Sequence, residues 1–368
     1  MAKTKRILAG AMAAAMAALT LAGCNSTKGT ESGASGEQLE NKTYTVGVCQ
    51  LVQHDALDAA TKGFQDKLTE LLGEGKVTFD VQNAQGDSAN CTTICNQFVS
   101  SNVDLIMANA TPALQAAFTA TETIPVLGTS VTHYGTALDI ADWKGYSEMN
   151  VSGTSDLAPL DKQAEMLHEL FPDAKNVGLL YCSAEANSKF QIDTITPSLK
   201  DFGYETKEYT FSDSNDIAAV VTTACDECDV LYIPTDNTAA SNTGIIDNIA
   251  APKKIPIVCG EEGICSGCGV AALSINYYDL GVATAEMAYE ILAKDADVSK
   301  MEIRYASTTK KYDRDRCAAL GVEVPSDYTA IGADDAAAEE EAAAVASSTE
   351  EEIDPTAEID SKGSLVAG

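Results

Sequence analysis

The chain has 368 residues, enough for two domains with sizeable cores, and 45% apolar content argues for a folded body. An aromatic share of 6% and a formal charge of −31 exclude a nucleic-acid partner, because phosphate binding needs a basic face and base stacking needs aromatic surface. Eleven acids and one lysine lie from Ala333 onward, so the remainder still carries −21; that favours solubility and says little about fold.

At the N-terminus, Lys3, Lys5 and Arg6 precede an Ala-rich apolar run, Ile7 to Leu21, and then Leu21-Ala22-Gly23-Cys24. The run is shorter than the roughly 20 residues that cross a bilayer. Its layout is that of a bacterial lipoprotein signal at 1–23, with Cys24 lipidated as the first mature residue. Two acyl chains suffice for stable anchoring, so the mature body is expected outside the cytoplasm, tethered to the membrane. Residues 24–42 are rich in Ser, Gly, Thr and Glu and read as a flexible linker. Residues 332–368 are low-complexity and acidic and read as a disordered tail.

Between these ends, β-rich runs alternate with helical periodicity. Strands are expected at Thr43–Gln50, Val77–Asn83, Leu105–Ala108, Pro125–Gly128, Val177–Tyr181, Thr206–Thr210, Val230–Ile233, Pro256–Cys259 and Gly269–Ser274. Helices fill the gaps, the first over Leu57–Leu72 and the last over Leu280–Leu292. Uninterrupted apolar strands separated by helices predict parallel sheets covered on both faces. The alternation restarts near Val177 after an irregular stretch, Tyr134–Pro159, so two α/β lobes are expected. VDLIMANATPALQAA (Val103–Ala117) and CDVLYIPTDNTAASN (Cys228–Asn242) share one layout: an Asp, an apolar strand, a Thr-containing turn and a helix. Ligands of open α/β sheets bind at that carboxyl edge, and two such edges across a hinge describe a closing cleft.

Six polar turns fall at this edge. In Gln50-Leu-Val-Gln-His54-Asp55, Asp55 reads as the cap of the helix that follows. Thr111-Pro112 opens a helix in the ordinary way, and its hydroxyl and free N–H groups suit a carboxylate. Gly128-Thr129-Ser130-Val131-Thr132 carries more hydroxyls than capping needs. Gly153-Thr154-Ser155-Asp156 reads as an N-cap for the second lobe. Cys182-Ser183-Ala184-Glu185-Ala186-Asn187-Ser188 and Pro234-Thr235-Asp236-Asn237 each place a carboxylate at the cleft. Hydroxyl-rich turns facing acids suit a zwitterion, whose carboxylate takes donors and whose ammonium takes an acid. Asp156, Glu185 and Asp236 are all candidates for that acid, and nothing in the sequence ranks them.

Chemistry beyond binding finds little support. GxSxG, HExxH and GxxxxGK[ST] are absent, the three histidines (His54, His133, His168) have no catalytic spacing, and no enzyme activity, cofactor or metal is expected. Two CxxC pairs, Cys225/Cys228 and Cys265/Cys268, are 36 residues apart, against about 15–20 in a zinc ribbon. They read as small buried residues, with a disulfide open to them in an oxidising habitat.

QLVQHDALDAATKGF, NAQGD (Asn83–Asp87), ATPA (Ala110–Ala113), SVT (Ser130–Thr132), VSGTSD (Val151–Asp156), LLYCSAEANS (Leu179–Ser188), YIPTDN (Tyr232–Asn237) and NYYDLG (Asn276–Gly281) together resemble one family. It is the ABC-transporter substrate-binding lipoproteins of tryptophan/tyrosine type, and the resemblance spans Tyr44 to Pro325. It implies a type I periplasmic-binding-protein fold: two Rossmann-like lobes with parallel sheets joined by a three-crossing hinge. The first lobe would take 43–152 and 276–300, the second 153–275 and 301–331. It implies an ABC permease and ATPase as partners and an aromatic amino acid as ligand. Another small solute, such as a branched-chain amino acid or a nucleoside, and an extracytoplasmic sensor role stay open. The implied ligand contacts are His54, Ala56, Leu57, Asp58, Thr111, Ser130 and Thr132, and across the cleft Ser155, Asp156, Glu185, Asn187, Ser188, Asp236 and Asn237. Where the family continues Asp-Pro after SVT, this chain has His133-Tyr134.

Overall fold

The computed structural model describes residues Lys42 to Gly332. The expected signal peptide, Cys24, nearly all of the linker and the tail from Ala333 lie outside the described residues.

Tyr44–Gln50 (β1), Val77–Asn83 (β2), Leu105–Asn109 (β3), Val126–Val131 (β4), Val151–Ser155 (β5) and Arg304–Tyr305 (β11) form one sheet in the order β2-β1-β3-β4-β5-β11. All its pairs are parallel. Asn176–Cys182 (β6), Glu205–Phe211 (β7), Val230–Ile233 (β8), Ile257–Cys259 (β9), Ala271–Ile275 (β10), Thr308–Tyr312 (β12) and Thr329–Ala330 (β13) form the other, in the order β7-β6-β8-β9-β10-β12-β13. Only β10 and β12 run antiparallel there.

Helices cover both faces of each sheet, which is why most strands are apolar without alternation. Around the first sheet lie Asp55–Leu72 (α1), Ser88–Ser100 (α2), Thr111–Ala120 (α3), Tyr134–Ala137 (α4) and Tyr277–Lys294 (α11). Around the second lie Leu160–Leu170 (α5), Ala186–Asp201 (α6), Ile217–Glu227 (α7), Asn237–Ala240 (α8), Thr243–Lys253 (α9), Glu262–Cys268 (α10) and Arg314–Leu320 (α12). Phe98, Ile106 and Leu114 pack in one core of the first lobe, Phe64, Leu68 and Met287 in another. In the second lobe the two cores centre on Leu179, Ile192 and Tyr232, and on Leu180, Ile217 and Ile257.

The chain passes between the sheets three times, after β5, after β10 and after β11. Two expected boundaries move. The first lobe keeps Gly153–Ser155, because β5 runs to Ser155 and pairs with β4, and it also takes Arg304–Tyr305, which pair with Thr154 and Ser155. VSGTS is therefore a strand and not the N-cap of a second-lobe helix; Pro159 stands at the start of α5. The expected irregular stretch hides β5 because its side chains are small and polar. They are buried all the same, since Thr154 Oγ1 meets Thr129 Oγ1 at 3.2 Å and Thr284 Oγ1 at 2.9 Å, and Ser152 Oγ donates to the Met301 carbonyl at 2.9 Å.

The return helix α11 is held to the first lobe by close backbone contact with α1. A Cβ on Gly281 would stand 2.0 Å from the Ala60 carbonyl oxygen, and one on Gly63 would stand 2.1 Å from that of Tyr278. Only glycine allows the approach. All ten described cysteines are buried free thiols.

Candidate ligand-binding cleft

The carboxyl ends of the two sheets face each other and are in contact. His54 Nε2 lies 3.2 Å from Asn237 Oδ1, and the His133 ring lies flat on Phe190, centroids 4.4 Å apart and planes 2° from parallel. His54 and His133 belong to the first lobe, Asn237 and Phe190 to the second. Asn237 Nδ2 donates to Glu185, so its Oδ1 accepts and His54 carries its proton on Nε2. Burial holds the His54 imidazole below its ordinary value, against the opposing pull of Asn237, Glu185, Asp58 and Asp55. Grooves of about 660 and 520 Å³ flank this closed centre; the first is lined by Glu261 and Tyr277 among others, the second by Glu185 and Asn237.

On the first lobe the donors are backbone and hydroxyl. Helix α1 begins at Asp55 with no side-chain cap, contrary to the expected role of Asp55, and α3 begins at Thr111 with Ala110 as an equally mute cap. Two positive helix ends thus lack a side-chain acceptor. The tips of β3 and β4 are strained as well, with Ala110 at φ 91° and Ser130 at φ 54°. Non-glycine residues hold such angles only where the surroundings over-determine them, and they cluster at binding sites. Ser130 Oγ is buried without a hydrogen-bond partner.

Asp156 stands just past β5 on the first lobe, not across the cleft as expected. Its side chain is 4% exposed and burial pushes its carboxyl up to about 6. The Thr132 and Tyr277 hydroxyls and its own N–H pull the other way, with Tyr277 Oη donating to Oδ2 at 3.1 Å. Its other oxygen, Oδ1, has no partner.

The second-lobe acids are differently placed. Glu185 accepts from the Asn237 N–H at 3.1 Å and Nδ2 at 2.7 Å, and from the Thr238 N–H and Oγ1 at 2.8 Å each. Asp236 accepts from the Cys182 N–H and Ser188 Oγ at 2.7 Å and from the Ala239 N–H at 2.8 Å. Both carboxylates are occupied in tying α8 and α6 to the strand tips. Burial and the nearby Glu185 charge push Asp236 up to about 7.

The remaining expected contacts divide. Thr111, Ser130, Thr132, Asp156, Asn187 and Asn237 are buried at the cleft edge. Leu57 lies in the first-lobe core, and Ala56 packs against Ile275, Tyr277 and Leu280. Asp58 accepts from Gln50 Nε2 at 2.6 Å, a bond that fixes the first turn of α1. Ser155 Oγ donates to the Thr132 carbonyl at 2.9 Å and accepts from the Leu157 N–H. Leu57, Asp58 and Ser155, with Ser188 bound to Asp236, lie behind the cleft surface, while Ala56 lines the larger groove.

Sequence reasoning missed Asn109, Tyr277 and Glu261. Asn109 Nδ2 donates to the Leu57 carbonyl and Thr61 Oγ1, leaving Oδ1 unpartnered in a buried place. Glu261 caps α10, accepting from the Gly263 and Ile264 N–H groups, and burial pushes it up to about 7. The end of the apolar run Leu105–Ala108 was the available signal for Asn109. Tyr277 stands in NYYDLG and Glu261 two residues past the expected strand Pro256–Cys259, but nothing in either stretch marks that residue as one folding brings to the cleft.

A family model described as "ABC transporter substrate binding protein" matches residues 45–311. A "Tyrosine-binding protein" of Clostridioides difficile (strain R20291) is 36% identical over 298 residues, 79% of this chain and 85% of the relative. The solved "ABC domain in complex with L-Trp" from Streptococcus pneumonia is 31% identical, covers 77% of this chain and 97% of its own, and superposes with a TM-score of 0.74. A ligand-free, open substrate binding protein with adhesive properties from Clostridium difficile is 36% identical, covering 78% of this chain and 99% of its own, yet superposes with a TM-score of only 0.61. On the matched residues and the two-lobed fold, the chain belongs to the ABC transporter substrate-binding protein family.

Proposed function

We propose that the cleft binds an aromatic α-amino acid and delivers it to an importer's permease and ATPase. One observation supports an amino acid above other solutes. Among the described residues, the buried side-chain polar atoms without a partner are Asn109 Oδ1, Ser130 Oγ, Asp156 Oδ1 and Asn187 Oδ1. Asn109, Ser130 and Asp156 lie at the carboxyl ends of β3, β4 and β5 on the first lobe, and Asn187 lies in the first turn of α6 on the second. Buried polar groups are otherwise nearly always paired, so four orphans shared between the two sides of the cleft call for a polar partner. Three of them are acceptors, one of them charged, which suits the three N–H donors of an ammonium. Ser130 and the uncapped start of α3 supply donors for a carboxylate. Asp156 is thereby the acid that meets the ammonium, since Glu185 and Asp236 are already satisfied. The aromatic side chain is favoured by the tyrosine-binding relative and the tryptophan-bound structure.

Thermal unfolding in the presence of each of the twenty amino acids tests the reading. Tyrosine, tryptophan or phenylalanine is expected to raise Tm most. Stabilisation by a sugar, a nucleoside or a branched-chain amino acid alone would remove the aromatic assignment. The same reading makes Cys24 the lipid attachment point, so fatty-acid label should enter the full chain and not Cys24→Ser. Equal labelling of both would remove the anchor.

A further inference from the structure

Two first-lobe histidines reach the other lobe, His54 by a hydrogen bond to Asn237 and His133 by laying its ring on Phe190. The ring is fixed from behind. Nδ1 accepts from the Thr136 N–H at 3.1 Å, capping the short helix α4, and Trp143 stands edge-on at 6.5 Å. Trp143 in turn stacks on the buried Tyr134 at 6.1 Å and packs on the first-lobe core. The imidazole is thus held on a rigid aromatic base.

Phe190 is its counterpart. It lies on α6 one turn beyond Asn187, whose Oδ1 is one of the orphaned cleft atoms. It joins neither apolar core of the second lobe, and its ring contact is with His133. A half-buried phenylalanine that its own lobe does not use is covered only while the lobes are closed. Separation would expose both rings to water.

We infer that His133 and Phe190 form an aromatic latch across the cleft, which holds the closed state and sets how long a captured ligand stays. The latch rests on the same cleft as the proposed function but not on the ligand's identity. Such a contact is absent from the open state in which a ligand enters, so losing it speeds release and cannot slow capture.

Dissociation is measured by stopped-flow with the amino acid that stabilises the protein, in the wild type, Phe190→Ala, His133→Ala, the double variant and His133→Phe. Each alanine variant should release ligand about tenfold faster, the size expected of a stacked pair and its buried area, and should bind no more slowly than wild type, because it favours the open state that a ligand enters. The double variant should be no faster than either single one, and His133→Phe, which keeps a stack, should restore slow release. Unchanged release, or two independent additive losses, would overturn the latch. Far-ultraviolet circular dichroism separates a latch effect from misfolding. Small-angle scattering of the ligand-free chains gives a second readout: the alanine variants should have the larger radius of gyration, and His133→Phe should match the wild type. If no amino acid binds the wild type, the ligand assignment fails, while equal radii across the series would sink the latch by itself.

Discussion

Burial keeps the Asp156 carboxyl protonated up to about pH 6, and an ammonium ion needs it ionised. Binding below that pH must therefore release a proton, so affinity should fall by up to about tenfold per pH unit below 6 and level off above it. Asp156→Asn should weaken binding by about 2–5 kcal/mol, as for a buried charge losing its partner, and should flatten the pH profile between 5 and 7. Glu185→Gln should instead act chiefly on Tm, because it disturbs the four contacts that anchor Asn237 and Thr238. Titration calorimetry across that range would check both; a pH-independent wild type, or full affinity in Asp156→Asn, would return the ammonium to another acid. The sequence brought Asp156, Glu185 and Asp236 to the cleft but left them unranked. Ranking them needs the count of donors each already accepts, and those donors come from Cys182, Ser188, Thr238 and Tyr277, which the chain assembles only on folding.

Where an element is apolar and continuous, as in β1, β3 and β8, composition alone located it to within a residue or two. β5 escaped because VSGTS has no apolar signature; its burial rests on hydroxyl pairs with β4 and α11 that sequence distance conceals. Likewise β12 and β13 carry polar side chains over an edge, and nothing in their composition marks a sheet. The contact between α1 and α11 shows what a short motif can encode without declaring it. In NYYDLG the final glycine lets two helix backbones touch. Gly281→Val would drive them apart and should cost about 2–4 kcal/mol in unfolding free energy, in the range of core overpacking and beyond. Denaturant melts would read it, and a loss under about 0.5 kcal/mol would mean that the helices can slide without cost.

Three buried acids at the cleft and hinge, Asp156, Asp236 and Glu261, have their carboxyls raised to about 6, 7 and 7. Each binds its proton more tightly folded than unfolded. Their contribution to stability is therefore full below the ordinary carboxylate range and is lost as pH rises through the raised values. The ligand-free protein should have a higher Tm at pH 5 than at pH 8, the three acids together with the self-repulsion of a −31 net charge outweighing His54 and His133, whose burial-lowered imidazoles favour the higher pH. A Tm that rises over that interval in calorimetry would contradict the burial of these groups. Ligand capture reverses the sign at Asp156 by holding it ionised, so added amino acid should stabilise more at pH 8 than at pH 5.

The strand β11 and the helix α11 reach the first sheet only after the chain has built nearly all of the second. An N-terminal fragment ending at Asp156 would leave β5 with a bare edge and α1 with its inner surface, from Ala60 to Phe64, facing water. Newly exported polypeptide must therefore emerge past Tyr305 before its opening half can become native, and during that delay it depends on staying unaggregated. The order of synthesis and the order of completion run against each other in this molecule, and both halves are finished at nearly the same moment.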